Sequence, residues 1–528
     1  MTKGTKWRAM FRAALSAGSI LNVWGILALA PGTAFAQGAG VEIEEPHIPP
    51  GVDVFNLNLR QTRHFSRSNN FEVVAHSYFR GPWLTPFAQT NGLGAGFNTP
   101  RVYNGIAYLG GYNGPPTLFG ILIADVRELG DDSSHGHHGH EHELGVLSFI
   151  PCKPGTRCPY LRVNPQRNIL IFGNSHDTSN PIQPPMGQPS DSGWSFWEVS
   201  HRRHPILLSH LSTLADGTTH GMEIDDRYLY GCGQTVAGTR ADELTIIDYA
   251  NPSAPVVVST LHIQGQRPGE NFAPQDQLNP DGTPQHVSCH EITFHKDRLY
   301  IAYRDAGMVI VDVTDRSSPN IIGRLDYVPP FNGGSLGAAH TSAPVVTDPN
   351  EHPTLIVHTD EIFDCPPGFG RIMDVSDMLN PQVVNGERPA NLQVISNYRL
   401  PFIDDVFDFA TERFVCPSGS LTSHLPWFDF RSPSLVYQAW YSEGLRVWDI
   451  SNPFLPREVG YYLSPPYICG PFTSSCGGGP PPVLRHTRET FQDPDTGLIY
   501  MTDGNGGGLT VLRWTGPIPS NPPIPGAR

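Results

Sequence analysis

Charge is scarce in this chain, and positive charge is scarcest. Only 16% of the 528 residues are charged, with 35 Lys and Arg against 50 Asp and Glu. A formal net charge of -15 repels phosphate backbones and anionic lipid, which argues against nucleic acid as a partner and against a membrane surface. Long apolar runs are missing beyond the first 36 residues, so no later segment is expected to span a bilayer. Extended helical periodicity is missing too, because 52 Pro and 54 Gly interrupt the chain; that excludes a helical bundle and suits short strands joined by turns. No GxSxG elbow, phosphate-binding loop or dinucleotide fingerprint occurs, which leaves serine-hydrolase and nucleotide-dependent chemistry without support.

The one apolar run lies at the start. Lys3, Lys6, Arg8 and Arg12 precede the apolar stretch Ile20 to Ala30, and Ala34-Phe35-Ala36 fits a small-residue cleavage site. Residues 1–36 therefore read as a signal peptide, and the mature chain is expected in a periplasm or outside the cell, with no membrane span after cleavage. Eight cysteines in an exported chain point to disulfides. Cys152 with Cys158 and Cys469 with Cys476 are close enough in sequence to pair locally.

The stretch CHEITFHKDRLYIAYRDAGMVIVDV (289–313) reads as three short strands separated by the turns Lys296-Asp297 and Asp305-Ala306-Gly307. A fourth strand follows Ser317-Ser318-Pro319, giving a four-stranded antiparallel meander. Its second half recurs as LTIIDYANPSAPVVVSTL, RIMDVSDMLNPQVV and LRVWDISNPFLPREVGYY. Four strands repeated at this length are the mark of a propeller blade. The motif VIVDVTDRSSP resembles the LVIVD-repeat family of β-propeller proteins, over most of the chain after residue 97. More distantly the repeats are similar to those of selenium-binding proteins and methanethiol oxidases, a resemblance that implies a copper-linked propeller.

First strands are expected near Thr99, Pro159, His220, His290, His340, His424 and His486, which makes the fold all-β, a seven-bladed β-propeller. The seventh unit has three strands and then meets Gly516-Pro517, whereas NNFEVVAHSYF (69–79) is a strand without a blade. Closure of the ring by the N-terminal strand satisfies both and removes two exposed edges. The expected organisation is a signal peptide (1–36), an N-terminal extension (37–68), the propeller (69–515) and a Pro-rich tail (516–528).

Five first strands open on histidine: THGMEI, CHEITF, AHTSAP, SHLPWF and RHTRET. First strands line the central channel, so His220, His290, His340, His424 and His486 should converge on one axis. Imidazole is a common metal ligand, and several around one ion suit copper or iron, ahead of zinc. Glu223, Glu291 and Glu489 lie within three residues of a histidine and are expected to orient the rings through their free N–H. The alternative is that each histidine simply bonds the neighbouring blade.

Long insertions, among them 173–194, 262–290, 358–370, 396–424 and 464–486, fall on connections sharing the histidine face, where they would bind a small-molecule substrate or a protein ligand. The same register pairs Cys365 with Cys416 and Cys232 with Cys289. On the opposite face, DDSSHGHHGHEHE (131–143) offers His135, His137, His138, His140 and His142 as an accessory, poorly selective metal-binding loop. Asp125, Asp248, Asp312, Asp374 and Asp449 close third strands and are expected to serve turns. The chain thus reads as an exported metal-binding propeller, with a metal-dependent oxidoreductase as the enzymatic reading. A non-catalytic propeller that binds a protein, glycan or small ligand through its loop face is the alternative.

Overall fold

The computed structural model describes residues 57–523, except for positions 91–93, 113–117, 130–143, 179, 181, 187, 214–216, 238, 240, 273–277, 279–284, 326–338, 364–366, 377–391, 401–405, 409–412, 416–420, 467–484 and 521. Third strands explain the architecture best. Those of blades one, three, four, five and six are Gly120–Asp125, Glu243–Asp248, Met308–Asp312, Gly370–Asp374 and Leu445–Asp449, nearly unbroken buried runs up to a terminal aspartate. A strand alternates its side chains between two faces, so continuous burial requires cover on both. Neighbouring blades supply it: Ile121 and Ile123 pack with Leu161, Leu170 and Phe172 of the next blade, while Leu122 and Ala124 pack with Val511 and Tyr500 of the previous one. The core is accordingly a set of apolar wedges between adjacent blades.

Each blade is a four-stranded antiparallel meander, and there are seven. First strands run in order as Phe97–Tyr103, Leu161–Asn164, Thr219–Ile224, Glu291–His295, Ala339–Pro344, Pro426–Asp429 and Thr487–Gln492. Fourth strands lie outermost; Val256 and Ile206 on two of them are 61% and 57% exposed. The seventh blade takes its fourth strand from the N-terminal side, Phe71–Ser77 pairing antiparallel with Leu509–Trp514. Arg67–Asn69 adds a fifth strand to blade six by pairing with Arg457–Leu463. The N-terminal segment therefore binds two consecutive blades, a double fastening that the sequence did not reveal.

The five aspartates that end third strands each accept a hydrogen bond from the backbone N–H two residues on: Asp125 from Arg127, Asp248 from Ala250, Asp312 from Thr314, Asp374 from Ser376 and Asp449 from Ser451, at 2.8–3.1 Å. They are turn residues. Disulfides join Cys152 to Cys158 and Cys232 to Cys289, and such bonds fit a non-cytoplasmic environment. Cys365, Cys416, Cys469 and Cys476, the histidine tract 131–143 and residues 1–36 lie outside the described residues. Among the described residues no helix is long and apolar enough to cross a membrane.

Candidate metal centre

Local backbone geometry aims the histidines inward. In blades three and five the pairing of first with second strand slips at the histidine, between Thr219 and Met222 and between Ala339 and Thr341, and in blade seven it slips just after His486, between Thr487 and Thr490. Such a bulge inserts one residue and re-aims a side chain, a device common beside functional sites. Gly221 permits the close approach of blades three and four: its N–H donates to His290 O at 2.8 Å, and a Cβ there would sit 2.3 Å from that oxygen.

The result is an arc of rings about the axis. Ring centroids are 3.9 Å apart for His220 and His290, 4.5 Å for His290 and His340, and 3.9 Å for His340 and His424. Tyr441 then intervenes, 5.0 Å from His424 and 4.5 Å from His486. The structure thus brings four of the five histidines into direct contact and sets His486 behind a tyrosine. At the other end of the arc, His220 accepts at Nε2 from the Tyr160 hydroxyl at 3.1 Å.

The centre of the cluster is a residue that the sequence reading passed over. Glu361 follows the second strand of blade five, Leu355–Asp360. Its carboxylate oxygens lie 3.9 Å from Nε2 of each of His290, His340 and His424. Arg304 Nη1 donates to it at 2.8 Å and the Tyr441 hydroxyl donates to its other oxygen. Arg304 and Tyr441 occupy matching turns, AYRDAGM and AWYSEGL, and each bridges to the start of the next blade's first strand. Both have left-handed backbones, φ 46° and 27°, which costs a non-glycine residue on the order of 1–3 kcal/mol and recurs at functional sites. Aligning those two turns is the signal by which sequence alone can find this pair. Glu361, in a longer loop with Asp360 and Asp364 beside it, offers no such signal.

Protonation states follow from partners. His290 Nδ1–H donates to His340 O at 3.2 Å, His220 Nδ1–H to His290 O at 3.1 Å, and His424 Nδ1–H to Arg488 O at 2.5 Å. A carbonyl can only accept, so in these three rings the proton sits on Nδ1 and Nε2 keeps its lone pair. Nε2 of both His340 and His424 is buried with no hydrogen-bond partner. Burial pushes His220, His290, His424 and His486 well below the usual imidazole range, and His340 to about 3. Burial opposes ionisation of Glu361, but the Arg304 and Arg488 guanidiniums and the Tyr441 hydroxyl favour the carboxylate and hold it below its usual range. Neutral imidazoles facing an ionised carboxylate are what a cation requires.

Two groups of described side chains could hold a metal ion: His290, His340 and Glu361, and His220, His290 and Glu291. In a tetrahedral site with bonds of about 2.0–2.1 Å, ligand atoms stand roughly 3.4 Å apart. The 3.9 Å carboxylate-to-imidazole separations exceed that by about 0.5 Å, and the ligand atoms of His290, His340 and Glu361 all lie within 4.8 Å of one another.

The other glutamates behave differently. Glu291 lies 3.7 Å from His220 Nδ1, next to the cluster. Glu223 bonds Arg162 Nε at 3.1 Å, and Glu489 accepts from Asn98 and Thr99 and pairs with Arg101 at 3.5 Å. Three residues along a first strand carry these two past the rings and down the channel, so the expectation that they orient His220 and His486 is corrected. Backbone carbonyls do that for His220, His290 and His424.

The LVIVD repeat profile matches residues 236–262, 295–327 and 436–464, spanning the third and fourth strands of blades three, four and six. Among curated protein sequences none matches significantly. Solved structures with a similar shape include the periplasmic gluconolactonase PpgL of Pseudomonas aeruginosa, at 11% identity over 79% of this chain and 90% of that one with a TM-score of 0.44. The Cps50 (Swd1) β-propeller domain of Myceliophteria thermophila reaches 12% identity, 79% and 96% coverage and a TM-score of 0.43. The computationally designed Ika8 protein reaches 10%, 79% and 96%, and 0.39. At these scores none bears on function.

Proposed function

We propose that this chain, a β-propeller that carries LVIVD repeats, is an exported metal-dependent enzyme, an oxidoreductase centred on His290, His340, His424 and Glu361. One observation carries this reading: three imidazole nitrogens face one carboxylate at 3.9 Å. A bound ion would supply Lewis-acid or redox chemistry there. Iron or copper is the proposed metal, since both accept imidazole donors. The chain's own residues do the rest. Arg304 and Tyr441 hold the carboxylate in place, and backbone carbonyls fix the tautomers of His290 and His424. His220, bonded to Tyr160, and His486, whose ring stands 5.2 Å from that of Tyr112, flank the cluster.

A second reading draws on the same Nδ1–H bonds, which run from His220, His290 and His424 to carbonyls of the next blade and would fasten blades in a non-catalytic, ligand-binding propeller. The two readings part on metal content. The mature protein, with residues 131–143 deleted to silence the histidine tract, should retain about one iron or copper per chain after loading and dialysis. His340→Ala and His424→Ala should each lose it. No retained ion after loading with either metal overturns the enzymatic reading.

A further inference from the structure

The propeller channel holds a cavity that begins beside the histidines and runs along the first strands away from them. Its volume is about 470 Å³, within the 300–1,000 Å³ common for small-molecule sites. Its lining runs from Glu291, Thr341 and Leu425, each one residue beyond a cluster histidine, to Thr293, Phe294, Phe428 and Phe491, three to five residues beyond, a reach of about 10–16 Å at roughly 3.3 Å per residue. The walls are aromatic, with Trp427, Phe428 and Phe491 among them, and Phe430 at the rim is 52% exposed.

The polar groups beside it decide what it can bind. Arg101 pairs with Glu489, and its guanidinium lies 5.3 Å from the Trp427 ring and 5.6 Å from Phe491. Arg162 is bonded to Glu223. Both guanidiniums are thus matched by a carboxylate. A third acid, Glu291, lines the same cavity. Its side chain is 3% exposed, and Oε1 is buried with no hydrogen-bond partner, its recorded neighbour being His220 Nδ1 at 3.7 Å. With each arginine already paired to a carboxylate, no free cation remains for an anion, and the unpartnered Glu291 Oε1 calls for a hydrogen-bond donor.

We propose that this cavity is a binding site for a compact aromatic molecule that carries a hydroxyl or amine donor and no negative charge, stacked beside Trp427 and Phe491 with its donor directed to Glu291. The site is built from the channel walls and does not depend on a bound metal. Occupied, it would place the ligand's polar head one side chain away from His220, since Glu291 touches both the cavity and that ring.

Calorimetric titration of metal-free mature protein tests the site. Four probes are used: 2-naphthol, 1-naphthylmethylamine, naphthalene and 2-naphthoate. The two donors should bind at least tenfold more tightly than the other two. Trp427→Ala should weaken the donors about tenfold, and Glu291→Gln should cost the amine more than the naphthol. Ala343→Leu, which fills the cavity without deleting a wall, guards against misfolding of the first variant and should also abolish binding. Failure of both donors to bind overturns the proposal, as does equal binding of 2-naphthoate. So does donor binding that Ala343→Leu leaves unchanged. Because the protein is stripped of metal, none of these results depends on whether the histidine cluster holds an ion.

Discussion

Replacing Glu361 by glutamine separates the metal-binding role of that residue from its structural one. The amide keeps the shape and an acceptor for Tyr441 but removes the only carboxylate among the described residues that faces His290, His340 and His424 together. Two costs follow. The pair with Arg304 is largely enclosed, its side chains 11% and 8% exposed. Leaving a buried charge without its partner costs about 3–5 kcal/mol, and the retained amide acceptor places Glu361→Gln near the lower end. For the metal, groups that merely orient a ligand are worth about 10–100-fold in affinity. A group that supplies a donor atom should exceed the top of that range, so at least about 100-fold, or roughly 2.8 kcal/mol, is expected. The assay has two readouts on one preparation: denaturant unfolding of metal-free protein, and elemental analysis after loading and dialysis with residues 131–143 deleted. Loss of stability together with loss of metal supports the centre. Loss of stability with full metal content means that Glu361 only balances Arg304, and refutes the assignment of the carboxylate as a ligand.

Three further outcomes are expected. His76, on the strand that closes the ring, is pushed down to about 4 by burial; because the unfolded imidazole titrates near 6.5, the unfolded state takes up more protons below that value. Stability from this residue is therefore intact above pH 6.5 and falls towards pH 4, by about 2 kcal/mol at pH 5, and the difference in unfolding free energy between wild type and His76→Gln should narrow by that amount between pH 7 and pH 5. Deleting residues up to Ser77 removes Phe71, which contacts Trp514 at 5.0 Å between ring centroids, and bares the edge of Leu509–Trp514; size-exclusion chromatography should show self-association, and a monomer with unchanged melting would refute closure by this strand. Breaking the Cys232–Cys289 bridge, which spans 57 residues, should cost about 4 kcal/mol, against about 2 kcal/mol for Cys152–Cys158, which spans 6; denaturant curves of the two Cys→Ser pairs compare them directly.

Much of this protein can be read along the chain because its unit is local. Strands, turns and terminal aspartates such as Asp312 recur within one blade, and hydrophobic alternation with turn chemistry specifies them residue by residue. Even ring closure is legible, since a blade lacking a strand and a strand lacking a blade demand each other. The histidines are legible for the same reason: position within the repeat places His220, His290, His340, His424 and His486 at one level of the channel.

What they face is not legible. Glu223 and Glu489 look like partners of His220 and His486 by sequence distance, yet they stand lower in the channel against Arg162 and Arg101. Tyr441 separates His486 from His424, although their repeat positions are equivalent. Glu361 reaches three histidines of three blades from the end of another strand. The sequence alone determined the blade, the number of blades and the level of the histidines, because each depends on short-range pattern. Only the closed ring decided which carboxylate meets which imidazole, because those contacts join residues as far apart as Arg304 and Tyr441 and depend on bulges and loop paths that no local pattern encodes.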